Sequence, residues 1–456
     1  AHKAQNRMLL VASLVFYGCW DARFLSLILA STVIDYFVGG RIAASEDQAR
    51  RKRWLMLSLV SNLGLLGFFK YFNFFVESAQ GLLQTAGIAA EGTWTLSIIL
   101  PVGISFYTFQ TLSYTIDIYR RELEPVEDFF DFALFVSFFP QLVAGPIERA
   151  ATLLPQIHKP REVRLKDWRE GTTLIVIGLF KKVAVADLAA GLVNQAFGDP
   201  GNYSGATLLM GLYLFSMQIY ADFSGYSDIA RGLARMLGFN LMENFRQPYH
   251  SASITEFWRR WHISLSTWLR DYVYIPLGGN RDGRAGTYRN LMLTMLIGGL
   301  WHGAAWNFVI WGGLHGLYLA GHKRFLEWRG KTRPPKALWK RYGLRLLKII
   351  AVFHLVALTW IFFRADSFDD ALTYLSRVLS MASGPDLAHF KGSALRRVFW
   401  SIGILLCLVD IPQDWSGKHT TIADWWPPAK IAAFTILALA LIKAETMSHA
   451  FIYFQF

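Results

Sequence analysis

The sequence predicts an all-α, polytopic membrane protein with about ten to twelve transmembrane or re-entrant helices and amphipathic interfacial helices beside them. Three observations predict it. Of the 456 residues, 53% are hydrophobic and only 17% charged, against about 25% charge in an average soluble protein. Several apolar runs reach or approach the ~20 residues that span a bilayer. Strongly basic loops alternate with loops that have no basic residue, while the alternating pattern of barrel strands is absent.

The net charge of +13 fits loops facing the cytoplasm and anionic lipid headgroups, with no call for nucleic acid. Cys19 and Cys407 lie in apolar runs and offer neither a disulfide framework nor metal spacing. The first apolar run starts at Met8, and no cleavable signal peptide is evident ahead of it.

Arg50-Arg51-Lys52-Arg53 precedes the apolar run Trp54–Val76, and Glu77–Trp94 then has no Lys or Arg. The next run, near Thr95–Ile116, leads to Arg120-Arg121. The positive-inside rule puts the outer two loops in the cytoplasm and the middle one outside. Phe129–Pro146 sits between basic stretches and contains Pro140, Gly145 and Pro146. It reads as a broken or re-entrant element. Gly171–Leu192 goes out with Lys181-Lys182 inside it, and Leu208–Phe223 returns. From Arg231 to Arg289 the chain reads as cytoplasmic. Further apolar runs lie near Leu346–Phe363, Val398–Val409 and Ile431–Ile442, before an aromatic tail at 451–456. No fixed-period repeat, inverted pair of halves or low-complexity linker divides the chain. It reads as one membrane domain, 1–456.

Leu291–Ala320 contains no Asp, Glu, Lys or Arg. Apart from the phenol of Tyr318, its ionisable side chains are His302, in Trp301-His302-Gly303, and His315. Arginines at 281, 284 and 289 precede the run, and a basic stretch from Lys323 to Arg341 follows it. Both flanks should therefore be cytoplasmic. One helix over Asn290–Ala320 would be about 46 Å long, against a hydrocarbon core of about 30 Å. A bent or re-entrant hairpin, turning near His302–Asn307, resolves both problems. Broken backbone at that depth is tolerated only inside protein or beside a water-filled cavity. Either His302 is a packed imidazole bonded to a carbonyl, or it is a functional group of a kind that is expensive at membrane depth. An imidazole can exchange protons near neutral pH, as acyl transfer requires.

Ser253–Gly279 places Phe257, Trp261, Leu265, Trp268 and Tyr272 on one stripe of a helix. Ser253 or Thr255 can cap its start, with Glu256 completing a capping box. A Trp-rich interfacial helix explains most of these residues. His262 falls on the stripe's edge, as an interfacial side chain or a functional one. Asp222 and Asp228 end an apolar run, either at a helix start capped by Ser227 or Asp228 or at a cavity mouth. No zinc spacing, Gly-x-Ser-x-Gly elbow, P-loop or dinucleotide fingerprint occurs. No candidate histidine is followed by Asp five residues on, the pattern of soluble acyltransferases.

The chain resembles the membrane-bound O-acyltransferase superfamily, most of all the branch that O-acetylates bacterial exopolysaccharides such as alginate. The words that carry the resemblance are DFSGYSDIA (222–230), MENFRQPY (242–249), SITEFWRRWHISLSTWLRDYVYIPLGGNR (253–281), TYRNL (287–291) and GGLWHGAAW (298–306). PVGISFYTFQTLSYTIDIYR (101–120) and FFPQLVAGPIER (138–149) also fit. The resemblance leads us to expect a further apolar helix upstream of residue 1. It implies helices around a central tunnel, a buried catalytic histidine at His302 and a second functional histidine at His262. It also implies an acyl donor entering from the cytoplasm and delivery of the acyl group outward.

A mechanism follows as an expectation. A cytoplasmic thioester, acetyl-CoA or another acyl thioester, docks at the basic face. Arg259, Arg260 and Arg270 are the candidates to hold its phosphates, with Arg281 and Arg284 adding to the attraction. His302 acts as general base or carries the acyl group itself. The acceptor is an extracytoplasmic polysaccharide hydroxyl or a periplasmic partner acetyltransferase. No cofactor is permanently bound, no metal is expected, and the location is the bacterial inner membrane. D-alanyl transfer to teichoic acid is the alternative within the family. A polysaccharide transporter or a scaffold for soluble acetylation enzymes is the alternative outside it.

Overall fold

A computed structural model describes residues 2–88, 92, 94–330, 337–386, 392–444 and 451. The described residues are helical, with no strand among them. Lys331, Arg333 and Lys336 of the basic flank, and the aromatic tail beyond Phe451, lie outside them. The chain clusters into two compact units. One is Ala1–Arg164 with Leu237–Met242, and the other is Leu165–Met236 with Glu243–Phe456.

The first unit opens with α1 (His2–Asp21), α2 (Leu25–Ala43) and α3 (Gln48–Leu66), which runs through a π-helical stretch, Gly67–Tyr71, into α4 (Phe72–Thr85). Then come α5 (Ile104–Tyr119), α6 (Phe129–Ser137), the single turn α7 (Phe139–Leu142) and α8 (Ala150–His158). Asp47 and Asp128 cap α3 and α6 by accepting from the amides of Ala49 and Phe130. The broken element expected over 129–146 is present. Its break falls at Phe138, and Pro140, which has no N–H to give, sits in the first turn of α7. Between α2 and α3, buried Asp35 accepts from Ser58 Oγ at 2.5 Å and Asn62 Nδ2 at 2.8 Å. A carboxyl group without such partners would be costly in this apolar setting.

The second unit begins with α9 (Leu165–Leu179), which passes through a π-helical stretch, Phe180–Asp187, into α10 (Leu188–Gly198). Next is α11 (Gly205–Met236), 32 residues long. The short helices α12 (Ile254–Trp258) and α13 (Ile263–Leu269) lead to the hairpin of α14 (Gly283–His302) and α15 (Trp306–Arg329). The unit closes with α16 (Leu338–Arg364), α17 (Phe368–Leu379), α18 (Ser393–Ile404), α19 (Ile411–Ser416) and α20 (Pro427–Lys443). Helices α9 and α11 touch backbone to backbone. A Cβ on Gly178 would lie 2.5 Å from Gly225 O, and one on Gly232 would lie 2.6 Å from Gly171 O. Two glycine pairs thus let the main chains approach as small residues do in membrane bundles.

That contact corrects the reading of Asp222 and Asp228. Neither ends a helix or caps one, because α11 continues through both. Each is buried and ion-paired across to the π-helical stretch: Lys181 Nζ to Asp228 at 2.7 Å, and Lys182 Nζ to Asp222 at 2.9 Å. The lysines that the sequence shows inside an apolar run are there to meet these carboxylates.

Among the described residues, three continuous stretches are long and apolar enough to cross a bilayer by length and composition: His2–Ala43, Gln48–Thr85 and Leu338–Arg364. Helix α11 is long as well, but its C-terminal half holds Asp222, Asp228, Arg231 and Arg235.

Candidate active site

The hairpin turns where the uncharged run was expected to bend. Helix α14 ends at His302, Gly303–Ala305 is the break, and α15 starts at Trp306. Glycine lets the two arms close: a Cβ on Gly299 would meet Phe308 O at 2.2 Å, and one on Gly312 would meet Met295 O at 2.3 Å. Gly303 leaves room for the Phe308 ring, whose edge would stand 2.1 Å from a Cβ there. His302 is thereby held at the C-terminal end of a helix, buried, with its ring edge-on to Trp311 at 5.0 Å and Phe363 at 5.3 Å.

His262 does not lie on a continuous helix. The stripe from Phe257 to Tyr272 is cut at Arg259–His262, and His262 takes φ +41° and ψ +56° as the residue ahead of α13. A left-handed, non-glycine residue is uncommon and is held only by its surroundings. Asn244 supplies that hold. Its carbonyl accepts from the Ile263 amide at 2.9 Å, and its side-chain oxygen accepts from Ser264 N at 3.2 Å and Ser264 Oγ at 3.0 Å. Its amide donates to Ser227 Oγ on α11 at 3.3 Å. The capping expected at Ser253 is present, since Ser253 Oγ accepts from Glu256 N while Glu256 accepts from Ala252 N.

The result brings the two sequence-predicted histidines together. Their ring centroids are 6.1 Å apart. Trp301 touches both rings, at 5.5 Å from His262 and 5.0 Å from His302, and Phe223 stands edge-on to His262 at 4.6 Å. Both imidazoles are buried within this aromatic shell.

His315 plays another part. Its Nδ1 accepts from the Trp258 indole N–H at 3.2 Å, so the ring proton sits on Nε2, which is 3.0 Å from Thr359 Oγ1. Both ring nitrogens are thus used in fixing Trp258 to α16, which is a structural role.

A cavity of about 550 Å³ is walled by α12 to α15; Ile263, the residue after His262, lines it, while neither His262 nor His302 does. Arg259 and Arg270, expected to meet donor phosphates, both line it, together with His322 and Lys323. Arg260 does not join them. Its guanidinium is held by Asp414 at 2.7 Å and Glu256 at 3.0 Å, because the turn at 259–262 sends adjacent arginines in different directions. Arg284 pairs with Glu327 at 3.3 Å. Among the described residues no cluster of three or more His, Cys, Asp or Glu side chains is arranged to hold a metal ion.

Asn244, Trp311, Phe363 and Thr359 were not singled out from the sequence. Asn244 stands in MENFRQPY, next to the words that carry the histidines, and that proximity was the available signal. The other three are apolar or hydroxyl side chains in apolar runs and look like ordinary packing.

The family described as MBOAT, membrane-bound O-acyltransferase, matches residues 120–363. The chain is 46% identical over 369 residues to the "Probable alginate O-acetylase AlgI" of Azotobacter vinelandii, a match covering 80% of this chain and 71% of that protein. It is 38% identical to the peptidoglycan O-acetyltransferase of Helicobacter pylori, over 98% of this chain and 91% of that one. The teichoic acid D-alanyltransferase of Bacillus subtilis is more distant, at 27% identity over 60% of this chain and 70% of its own length. The matched region encloses both histidines, Asn244 and the cavity, and on these grounds the chain belongs to the membrane-bound O-acyltransferase family and is a multi-pass O-acyltransferase of the membrane.

Proposed function

We propose that this chain moves an acetyl group from a cytoplasmic thioester, acetyl-CoA in the first instance, to an extracytoplasmic polysaccharide hydroxyl, directly or through a periplasmic partner acetyltransferase. It would do so in the bacterial inner membrane. The observation that carries the reading is the buried His262–His302 pair at 6.1 Å, with a cavity lined by Arg259 and Arg270 that reaches Ile263, the residue next to His262. The names of the two most similar relatives above, both O-acetylating enzymes, support the choice of acetyl.

In this reading the phosphates of the donor rest at Arg259 and Arg270 and its thioester points inward. The acceptor hydroxyl approaches His302, whose imidazole takes its proton as the oxygen attacks the thioester carbonyl. A C–O bond forms, the C–S bond breaks, and the imidazolium returns the proton to the leaving thiolate. The negative end of the α14 dipole favours the positive charge that His302 carries in passing. The aromatic shell keeps bulk water from the thioester.

The test uses the purified full chain in lipid nanodiscs with radiolabelled acetyl-CoA and oligosaccharide acceptor. Labelled acceptor is expected from the wild type. A loss of at least about 10²-fold is expected in His302→Ala, with size-exclusion and circular-dichroism profiles unchanged. Full activity in that variant would overturn the reading.

A further inference from the structure

The face of α14 that carries His302 also carries Leu291, Thr294, Met295 and Gly298, spaced by three and four residues. Leu291, Thr294 and Met295 line the cavity. Gly298 and His302 continue the same face beyond it, with His302 about 6 Å further along the axis than Gly298. The side chain that covers Gly298 is Leu269: a Cβ at Gly298 would lie 3.0 Å from Leu269 Cδ1. Leu269 itself lines the cavity and is otherwise buried. Leu269 thus stands between the cavity it lines and Gly298, one helical turn before His302, with its end seated in the dent that the glycine leaves.

The neighbouring wall is fixed. Trp258 lines the same cavity, but its indole N–H is bonded to His315, which is anchored to Thr359. Leu269 has no polar tie and can change rotamer. From this we infer that Leu269, accommodated by Gly298, is the specificity-determining residue at the inner end of the donor cavity. It sets how large an acyl group reaches His302. The inference rests on the thioester-donor reading proposed above.

Two substitutions push in opposite directions. Leu269→Ala opens the end of the cavity. Gly298→Ala presses on the end of the leucine, which must give by a few tenths of an ångström, a shift a flexible side-chain end can absorb without unfolding the helix. The full chain in nanodiscs is assayed with acetyl-, butyryl- and hexanoyl-CoA. The Leu269→Ala variant is expected to raise the butyryl-to-acetyl ratio of kcat/KM by roughly tenfold or more, the scale of one methylene in an apolar pocket. Gly298→Ala should lower kcat/KM for acetyl-CoA by severalfold, and Leu269→Ala added to Gly298→Ala should restore it. An unchanged ratio in a folded Leu269→Ala variant, beside an active wild type, overturns the assignment of Leu269 alone. A wild type inert toward all three thioesters removes the donor reading, and this inference with it.

Discussion

The imidazoles of His262 and His302 lie 6.1 Å apart with Trp301 against both. One belongs to a break between two short helices, the other to the end of a helical hairpin's first arm. Each ring depends on a backbone interruption, and the interruptions have different origins. Glycine packing makes the one at His302, while a side chain from a preceding loop makes the one at His262.

The backbone and the imidazole of His262 can be separated by choice of substitution. Glycine and asparagine tolerate the left-handed conformation, whereas a β-branched residue is strained there by about 1–2 kcal/mol. His262→Asn should melt closest to wild type, while His262→Gly, which leaves a cavity in the aromatic shell, and His262→Val, which strains the backbone, should melt several degrees lower. All three should lose acyl transfer if the ring itself acts. Wild-type turnover in His262→Asn would leave His262 with only a packing role.

Asn244 positions His262 through Ser264 and Ser227. Asn244→Ala leaves those buried groups without a partner, at about 1–3 kcal/mol. We expect a lower melting temperature together with a lower kcat and little change in donor KM. Asn244→Asp keeps the acceptor for Ser264 and should recover most of the kcat. A variant that loses stability with kcat intact would show that the loop braces the fold and leaves His262 undisturbed.

Arg259 and Arg270 are expected to serve the donor, and Arg260 the fold. Alanine at 259 or 270 should raise KM for acetyl-CoA severalfold with kcat nearly unchanged, the pattern of lost uniform binding. Arg260→Ala should leave KM alone and lower thermal stability. Initial-rate kinetics on the three single variants decide the matter, and equal KM effects at all three positions would contradict it.

The Arg260–Asp414 pair also makes an acid dependence. Burial alone would raise the Asp414 carboxyl, but the hydrogen bond and charge of Arg260, with His250 nearby, hold it below the usual carboxylate range. A carboxyl group lowered in the folded state stabilises the fold above its ordinary value of 3.8. That stabilisation is lost as pH falls through the lowered value. Wild type should therefore lose melting temperature on acidification more steeply than Arg260→Met. Parallel pH profiles for the two would exclude the pair as a source of stability.

Much of the architecture was legible because its signals are local. An uncharged run too long for one crossing, flanked by arginines and rich in glycine, has to fold back, and Gly303–Ala305 is where it does. Pro140 marked the break in the 129–146 element in the same way. The resemblance named His302 and His262 as a pair. The helical stripe from Phe257 to Tyr272 misled, because its spacing is as good as that of an unbroken helix. The break inside it comes from Asn244, which no local pattern connects to His262.

Run lengths, charge spacing and helix breakers are properties of neighbouring residues, so the sequence by itself determined an all-helical membrane protein with a histidine at a buried turn, and the resemblance added the activity. Only the tertiary structure decided the rest. It separated Arg259 from Arg260, set Lys181 and Lys182 against Asp228 and Asp222, tied both ring nitrogens of His315 into the fold, and seated Leu269 over Gly298. Each of those outcomes depends on which distant side chain satisfies a buried polar group or fills a glycine's space. Packing decides such contacts, and sequence distance carries no record of them.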